Sequence, residues 1–309
     1  MKDFLPEGHS AALHRGHAPF SLSYLEQAAL RDTILEAPVT LCDSHMNLHV
    51  FLGEVKGILP RDEVTFSPLG EAPKDIAILT RVGKTVCFTV KEIVRGESGA
   101  VAILSRKEAQ KACYEGYVSH LSPGDIIQAK VTHMERFGVF LDVGCGIVSL
   151  LTTDSISVSR ISHPSLRFSV GDECRVVVKS MDETGRIYVT RRELFGTWEQ
   201  NAALFEAGQT VAGTVRSIEP YGVFIELTPN LTGLAERKEG IRENTPVSVF
   251  IKSISPERMK IKLVIIDSCP LAATPAACPR FLDPSVTHMD RWHYSPPFAS
   301  KHIETVFSE

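Results

Sequence analysis

The sequence predicts an all-β protein built from tandem five-stranded barrels that short helical connectors join. Two observations support this prediction: the chain repeats a domain-sized segment of itself, and apolar residues alternate with polar ones inside each repeat. One repeat, for example, places Val139, Leu141 and Val143 on the same phase of a strand. Closed barrels suit short strands of this kind better than an open sheet, because closure leaves no strand edge unpaired.

The strongest repeat aligns PGDIIQAKVTHMERFGVFLDV (123–143) with AGQTVAGTVRSIEPYGVFIEL (207–227) without a gap. Phe140 pairs with Phe224, and the two copies are 84 residues apart throughout. A spacing of this size corresponds to one small domain. The two segments therefore predict two successive barrels of the same kind.

A weaker third copy lies upstream, where NLHVFLGEVKGIL (47–59) aligns with RFGVFLDVGCGIV. This alignment places Phe51 opposite Phe140, while Leu48 and His49 replace the Phe-Gly pair of the later copy. The first unit is therefore expected to be a degenerate barrel with one aromatic residue left on its surface.

These repeats divide the chain into five predicted segments. An N-terminal arm and the start of a helix occupy the first of them, three barrels follow, and an extended tail rich in proline, alanine and aromatic residues closes the chain. In order, the segments are 1–31, 32–112, 120–194, 205–267 and 268–309.

The bulk composition is that of a globular protein with two or three domains, with 309 residues, 43% hydrophobic residues and a formal net charge of −4. No stretch approaches the roughly 18 consecutive apolar residues of a membrane span, and the first residues lack the layout of a signal peptide. We therefore expect a cytoplasmic protein without a membrane partner. Seven scattered cysteines without Cys-x-x-Cys spacing predict neither a disulfide framework nor a metal site, and no motif predicts a cofactor.

Phe140 is the residue that first points to a function, because it lies on the polar phase of its strand and should face solvent. Gly138 interrupts the strand just before it, which lets Phe137 join the same outer surface. Exposed rings of this kind stack on the bases of single-stranded nucleic acid. Further outward-facing candidates for this surface follow on the last two strands of the unit: Arg175, Lys179, Arg186 and Tyr188.

The pattern Phe137-Gly138-x-Phe140, together with Asp182-x-x-Gly185-Arg186, resembles the S1-type RNA-binding domain, an oligonucleotide-binding (OB-fold) barrel. The resemblance implies an RNA-binding face made by the two aromatic residues, a histidine on the third strand, and an Asp and an Arg at the last hairpin. In this sequence those positions are Phe137, Phe140, Asp182 and Arg186, and the histidine is replaced by Ser149.

The third unit carries over the same pattern in weaker form. Its aromatic residues are Tyr221 and Phe224, Glu236 stands at the histidine position, and Lys252 and Lys260 are the basic candidates. Because a carboxylate repels phosphate, we expect this unit to bind RNA more weakly than the second.

The resemblance implies a non-enzymatic protein that binds single-stranded RNA, with messenger RNA as the expected ligand. A degenerate unit ahead of better-preserved ones is similar to the ribosomal protein S1 family, which implies a role in translation, with residues 32–112 docking on the small ribosomal subunit. The alternative is a protein-interaction scaffold of an RNA-processing or RNA-decay complex, since each unit is nearly neutral. Catalysis is not expected, because no segment of catalytic-domain size remains outside the barrels.

Overall fold

The computed structural model describes residues 4–9, 20–96, 99–268 and 281–308, which contain three closed five-stranded barrels in tandem. Apolar residues on alternate strand positions fill the interior of each barrel, so the described ranges contain three hydrophobic cores. The prediction of an all-β fold of tandem OB-type barrels is confirmed.

The first barrel has the strand order β1-β2-β3-β5-β4. A helix capped by Ser21 packs Leu25 into its core, so the helix belongs to the barrel and not to an N-terminal arm. In chain order the elements are α1 (Leu22–Leu30), β1 (Leu35–Cys42), β2 (Leu48–Phe51), β3 (Lys56–Leu59), α2 (Asp75–Leu79), β4 (Thr85–Gly96) and β5 (Gly99–Ser105).

The second barrel has the order β10-β8-β7-β6-β9, with β8 and β10 parallel. The helix that precedes it is capped by Ser105 and buries Ala109 and Cys113 in the second core. The elements are α3 (Arg106–Gly116), β6 (Ile126–Glu135), β7 (Gly138–Asp142), β8 (Val148–Thr152), β9 (Glu173–Met181) and β10 (Ile187–Thr190).

The third barrel has the order β11-β12-β13-β15-β14 and follows a short helix that a Thr197–Gln200 capping box starts. Its elements are α4 (Trp198–Ala202), β11 (Thr210–Glu219), β12 (Gly222–Thr228), β13 (Leu231–Ala235), β14 (Pro246–Ser255) and β15 (Lys260–Ser268). Short 3-10 turns lie at Arg61–Glu63, Val118–His120, Thr153–Ser155, Pro164–Leu166, Arg192–Phe195 and Pro256–Arg258.

A β-bulge recurs in all three barrels where the first strand pairs with the second. It lies between Val39 and Leu41 in the first barrel, and after Val131 and Val215 in the other two. Such a bulge changes which residues face outward, and it increases the local twist of the strand. The three units therefore share a register that strand alternation alone does not predict.

The described part of the C-terminal segment differs from the extended tail that the sequence predicted. Residues 281–308 form a hairpin of β16 (Arg291–His293) and β17 (Glu304–Val306), and Trp292 and Tyr294 are buried in the core of the third barrel. The hairpin forms because large apolar residues alternate with polar ones in this segment and can be buried on the barrel. The remainder of the predicted tail at 269–280 and at residue 309 lies outside the described residues.

Residues 4–9 run between the first two barrels. The side chain of Glu7 is buried, and its carboxylate accepts two hydrogen bonds from Arg106, of 2.6 and 3.0 Å, while the backbone N–H of Glu7 donates to Asp142 Oδ2 at 2.7 Å. Burial by itself raises the pKa of Glu7, but the positive charge of Arg106 and its hydrogen bonds outweigh this and hold the pKa below its usual value. The rest of the predicted arm, at 1–3 and 10–19, lies outside the described residues.

Across the residues that the structure describes, no helix is both long and apolar enough to span a bilayer.

Candidate nucleic-acid interface

Two aromatic rings lie together on the outside of the second barrel. Phe137, in the turn between β6 and β7, is 59% exposed, and Phe140 on β7 is half-buried. Their ring centroids are 5.9 Å apart with the planes at 89°, so the edge of one ring meets the face of the other. Gly138 permits this arrangement because a Cβ atom there would come within 2.6 Å of the Leu151 carbonyl oxygen on β8.

His133 on β6 extends this pair, although the sequence analysis did not assign it to the surface. Its ring is 5.9 Å from that of Phe140 at an angle of 26°, and its Nε2 atom lies 2.7 Å from Glu135 Oε1. The bulge after Val131 brings His133 opposite Phe140. Simple alternation along β6 does not predict this pairing. Without the register of β6 against β7, no sequence signal indicates that His133 belongs to this surface.

Ser149, the residue that the sequence analysis placed at the family's histidine position, faces the interior of the second barrel. Ser149 is only 2% exposed and its hydroxyl donates to the Leu141 carbonyl oxygen at 3.4 Å, whereas Leu150 lies directly opposite Phe140. A shift of one residue turns a strand side chain to the other face. Leu150 in turn pairs with Tyr188 on β10, so the outer face continues across the parallel strand pair.

The residues of this face form one row across four adjacent strands. Neighbouring strands lie about 4.8 Å apart, so the row is about 14 Å wide. From β6 to β10 the row reads His133, Phe140, Leu150 and Tyr188. Phe137 stands at one end of it, and we call these five residues the aromatic face of the second barrel.

Asp182 holds the β9–β10 hairpin in shape. Its Oδ1 atom accepts hydrogen bonds from the Thr184 hydroxyl at 2.6 Å, from the Thr184 N–H at 2.9 Å and from the Arg186 N–H at 3.0 Å. These bonds, above all that from the Thr184 hydroxyl, hold the pKa of Asp182 below its usual value. The Tyr188 hydroxyl lies 3.4 Å from the second carboxylate oxygen, which links the hairpin to the aromatic face.

The predicted basic residues of the second barrel separate into two groups. Arg186 and Lys179 are exposed. Among the described residues, neither the Arg186 guanidinium nor the Lys179 ammonium has a hydrogen-bond partner or an ion pair. Arg175 is different, because its guanidinium donates to the carbonyl oxygens of Asp283 and Val286 in the C-terminal segment. The structure therefore does not bring Arg175 to the aromatic face.

The third barrel repeats the aromatic pair. Tyr221 is 70% exposed, and its ring centroid is 6.1 Å from that of Phe224 at 88°. Phe224 pairs with Leu234, and Leu234 pairs with Lys262 on β15. Lys262 was missed by the sequence analysis and stands where the second barrel has Tyr188.

The third barrel has the same arrangement on β13, with a leucine opposite the phenylalanine. Leu234, not Glu236, lies opposite Phe224, and Glu236 follows the end of β13 as an exposed residue. The two predicted lysines, Lys252 on β14 and Lys260 at the start of β15, are exposed. Lys252 lies in a bulge between the residues paired with β15, as Lys179 does in the second barrel.

In the first barrel the structural counterpart of Phe140 is His49, so the alignment that placed Phe51 there is wrong by two residues. The Thr40 hydroxyl donates to the His49 carbonyl oxygen at 3.1 Å, and the Thr132 hydroxyl donates to that of Phe140 at the same distance. A shift of two residues keeps every side chain on its face, so alternation could not reveal the error. Phe51 is 55% exposed at the end of β2.

The second barrel matches a known protein family, and the chain is similar to ribosomal proteins. Residues 121–192, which include the second barrel, match the family described as the S1 RNA binding domain. The small ribosomal subunit protein bS1 of Staphylococcus aureus (strain COL) is 28% identical over 267 residues, which cover 81% of this chain and 66% of that protein. The bS1 protein of Leuconostoc lactis is 29% identical over 183 residues, covering 54% of this chain and 42% of its own.

Among solved structures, a multidomain protein with nucleic acid binding domains from Streptococcus pneumoniae is similar over 75% of this chain and 73% of its own, at 13% identity and a TM-score of 0.24. The match to the S. aureus bS1 protein spans just under two thirds of the length of that protein.

Proposed function

Because the second barrel is an S1 RNA-binding domain and the chain is homologous to ribosomal protein bS1, we propose that it binds single-stranded RNA on the aromatic face of that barrel. The observation that supports this proposal most directly is the contact between Phe137 and Phe140 on an outer surface, with exposed Arg186 on the neighbouring hairpin.

The aromatic face favours single strands over duplexes. Bases stack on exposed rings with about 1–3 kcal/mol each, and a duplex keeps its base faces covered by the adjacent base pairs. The chain has a net charge of −4, so electrostatic attraction summed over the whole surface does not explain binding to a polyanion. Stacking on the rings is therefore the main source of affinity in this proposal.

Phosphate contacts come from the exposed cations beside the rings. Arg186 follows the hairpin that Asp182 holds through three hydrogen bonds, so the backbone that carries the guanidinium is fixed in place. Lys179 lies on the adjacent strand β9. Each cation that pairs with a phosphate releases counterions, which makes affinity fall as the salt concentration rises.

The third barrel is a second and weaker site in this proposal. Tyr221 and Phe224 repeat the ring pair, and Lys262 offers a cation on the same row. Glu236, exposed at the end of β13, repels phosphate close to that row. Leu234, which lies between Phe224 and Lys262 in the row, offers neither a ring nor a hydrogen bond.

We further propose that the RNA is messenger RNA and that the chain acts in translation on the small ribosomal subunit, where the first barrel docks. Homology to bS1 supports this step, and so does the surface of the first barrel. His49 replaces the phenylalanine of the later barrels, and its ring Nε2 lies 3.4 Å from Asp43 Oδ2. Among the described residues His49 makes no ring contact like that between Phe137 and Phe140, so a different partner is expected.

The test is a titration of the full chain with fluorescent oligouridine at two salt concentrations. Replacing Phe137 and Phe140 together with alanine should weaken binding by about 2–4 kcal/mol, if each ring stacks on one base. Replacing Tyr221 and Phe224 together should cost less. Tyr24→Ala, which removes a 46% exposed ring from α1, is the matched control and should bind as the parent does.

Arg186→Ala should lower the affinity by a smaller amount and reduce the salt dependence by about one phosphate contact. If the Phe137/Phe140 double variant keeps its circular dichroism spectrum and binds oligouridine as tightly as the parent, the aromatic face is not the site. An absence of saturable binding by the parent would favour the protein-interaction scaffold.

A further inference from the structure

A cavity of about 630 Å³, largely open to solvent, lies where the C-terminal hairpin meets the third barrel. One side is formed by the turn between β14 and β15, and the other by the loop between β16 and β17. The lining residues are Glu257, Arg258 and Lys260 from the barrel, and Phe298 and Ser300 from the loop.

The loop that carries Phe298 is held firmly against the barrel. The Ser300 N–H donates to the Glu257 carbonyl oxygen at 3.1 Å, and Ala299, the residue between Phe298 and Ser300, is buried. Further back, Tyr294 is buried and its hydroxyl donates to the Asn230 carbonyl oxygen at 2.6 Å. Phe298 nevertheless remains 60% exposed, so a well-anchored loop presents an aromatic ring to solvent at the cavity.

The cavity adjoins the row of the third barrel that repeats the aromatic face. Lys260 and Lys262 lie two residues apart on β15 and are both exposed, and Lys262 belongs to the row of Phe224 and Leu234. Lys260 begins its strand just as Arg186 immediately precedes β10 in the second barrel. The cations of the cavity therefore continue the third barrel's surface toward Phe298.

The side chains that line the cavity suit one nucleotide. An exposed ring offers a stacking surface for a base, and Arg258 and Lys260 supply two positive charges against the single carboxylate of Glu257. Neither cation has a hydrogen-bond or ion-pair partner within the described residues, so both are available to a phosphate.

We propose that this cavity binds one nucleotide of a single-stranded RNA, with the base on the Phe298 ring and the phosphate on Arg258 and Lys260. The inference rests on the proposed function and extends it: the C-terminal hairpin supplies part of the RNA site of the third barrel. The hairpin thereby offsets the loss of affinity that Leu234 and Glu236 cause.

The experiment measures oligouridine binding to the full chain in which Phe137 and Phe140 are already alanine, so that the remaining affinity reports the third barrel. Adding Phe298→Ala should weaken the remaining binding at least about fivefold, the lower bound for losing one stacked base. Phe298→Trp should restore it. Val306→Ala, at an exposed position on β17 of the same hairpin, is the control for truncation and should have no effect.

Charge reversal tests the phosphate contact. Lys260→Glu should weaken the remaining binding and reduce its salt dependence, whereas Lys301→Glu, an exposed lysine next to Ser300 that does not line the cavity, should change it little.

A direct readout uses Phe298→Trp in the otherwise unchanged chain, because the two native tryptophans are buried. Oligouridine should quench the fluorescence of the new exposed indole as a base stacks on it. If the parent chain binds oligouridine but no quenching occurs, and if Phe298→Ala and Lys260→Glu match their controls, the inference is overturned while the proposed function stands. If the parent chain does not bind, both fail.

Discussion

Asp142 and Glu226 occupy the same position in two successive barrels, 84 residues apart, and each accepts hydrogen bonds from the chain that precedes its own barrel. Asp142 Oδ2 accepts the backbone N–H of Glu7 at 2.7 Å. Glu226 Oε2 accepts the Ser159 hydroxyl at 2.6 Å and the guanidinium of Arg167. The repeated acid thus joins the second barrel to the segment at residues 4–9 and the third barrel to the second.

Removing the charge of Glu226 should destabilise the junction between the second and third barrels. Glu226→Gln leaves Arg167 and Arg216 buried without their shared carboxylate, and breaking a buried pair in this way costs about 3–5 kcal/mol. Urea unfolding followed by tryptophan fluorescence measures this loss, since both tryptophans lie in the third core.

The control for this substitution is Arg95→Met, which breaks an exposed ion pair with Glu26 and should cost at most about 1 kcal/mol. A Glu226→Gln variant that is no less stable than Arg95→Met would show that the buried cluster does not hold the junction together.

The buried carboxyl of Asp142 should make the protein less stable to unfolding as the pH rises. Burial, followed by the charge of Glu7, raises the pKa of Asp142 to about 7 from a usual value of 3.8. Between these two pH values the folded state holds a proton that the unfolded chain has lost, so the free energy of unfolding falls as pH increases. Asp142→Asn should flatten this slope between about pH 5 and pH 8.

The readout for Asp142 is the change of unfolding free energy with pH, measured by urea titration with far-ultraviolet circular dichroism. Absolute stability is a poor guide here, because an asparagine cannot accept from Glu7, Gly144 and Gly146 as the carboxylate does. An unchanged slope in the variant would contradict the assignment of this titration to Asp142.

The register of β8 predicts opposite outcomes for two neighbouring substitutions. Ser149→His forces an imidazole into the core of the second barrel and should destabilise it by about 1–3 kcal/mol or more. Leu150→His places the same ring on the surface opposite Phe140 and should cost less than about 1 kcal/mol. Thermal unfolding of the two variants decides the register, and equal losses would argue against it.

The first barrel should contribute to ribosome association and little to RNA affinity. His49→Ala combined with Phe51→Ala should reduce co-sedimentation with small ribosomal subunits and leave oligouridine binding within about twofold of the parent. Surface variants of the full chain are preferable to deleting residues 1–112, because deletion removes Glu7, the buried partner of Asp142. Leu69→Ala, at another exposed position of the first barrel, is the control, and undiminished co-sedimentation of the double variant would remove the docking role.

The barrels and the outward position of Phe137 and Phe140 could be predicted from the sequence, because a repeat and a period of two residues are local signals. Strand pairing is not local. The bulge after Val131 brings His133 to the aromatic face, and it follows from how β6 twists against β7 and not from any residue type.

The same limit explains the errors in register. His49 and Phe51 lie on the same face of β2, so only the pairing of β1 with β2, together with the Thr40 hydrogen bond, shows which of them corresponds to Phe140. The position of Arg175 was equally hidden, because its partners at Asp283 and Val286 are more than 100 residues away along the chain.

The segment at residues 4–9 has a consequence for the order in which the protein can assemble. Glu7 and Asp142 are 135 residues apart, so during synthesis at about 5–20 residues per second the segment waits about 7–27 seconds for its partner to be made. Until then the Glu7 carboxylate, which accepts the Cys87 N–H of the first barrel, lacks the hold that Asp142 of the second barrel provides. The first barrel therefore reaches its final stability only after the second has closed, and a pause in translation between these two points should lengthen the time during which nascent chains are open to proteases.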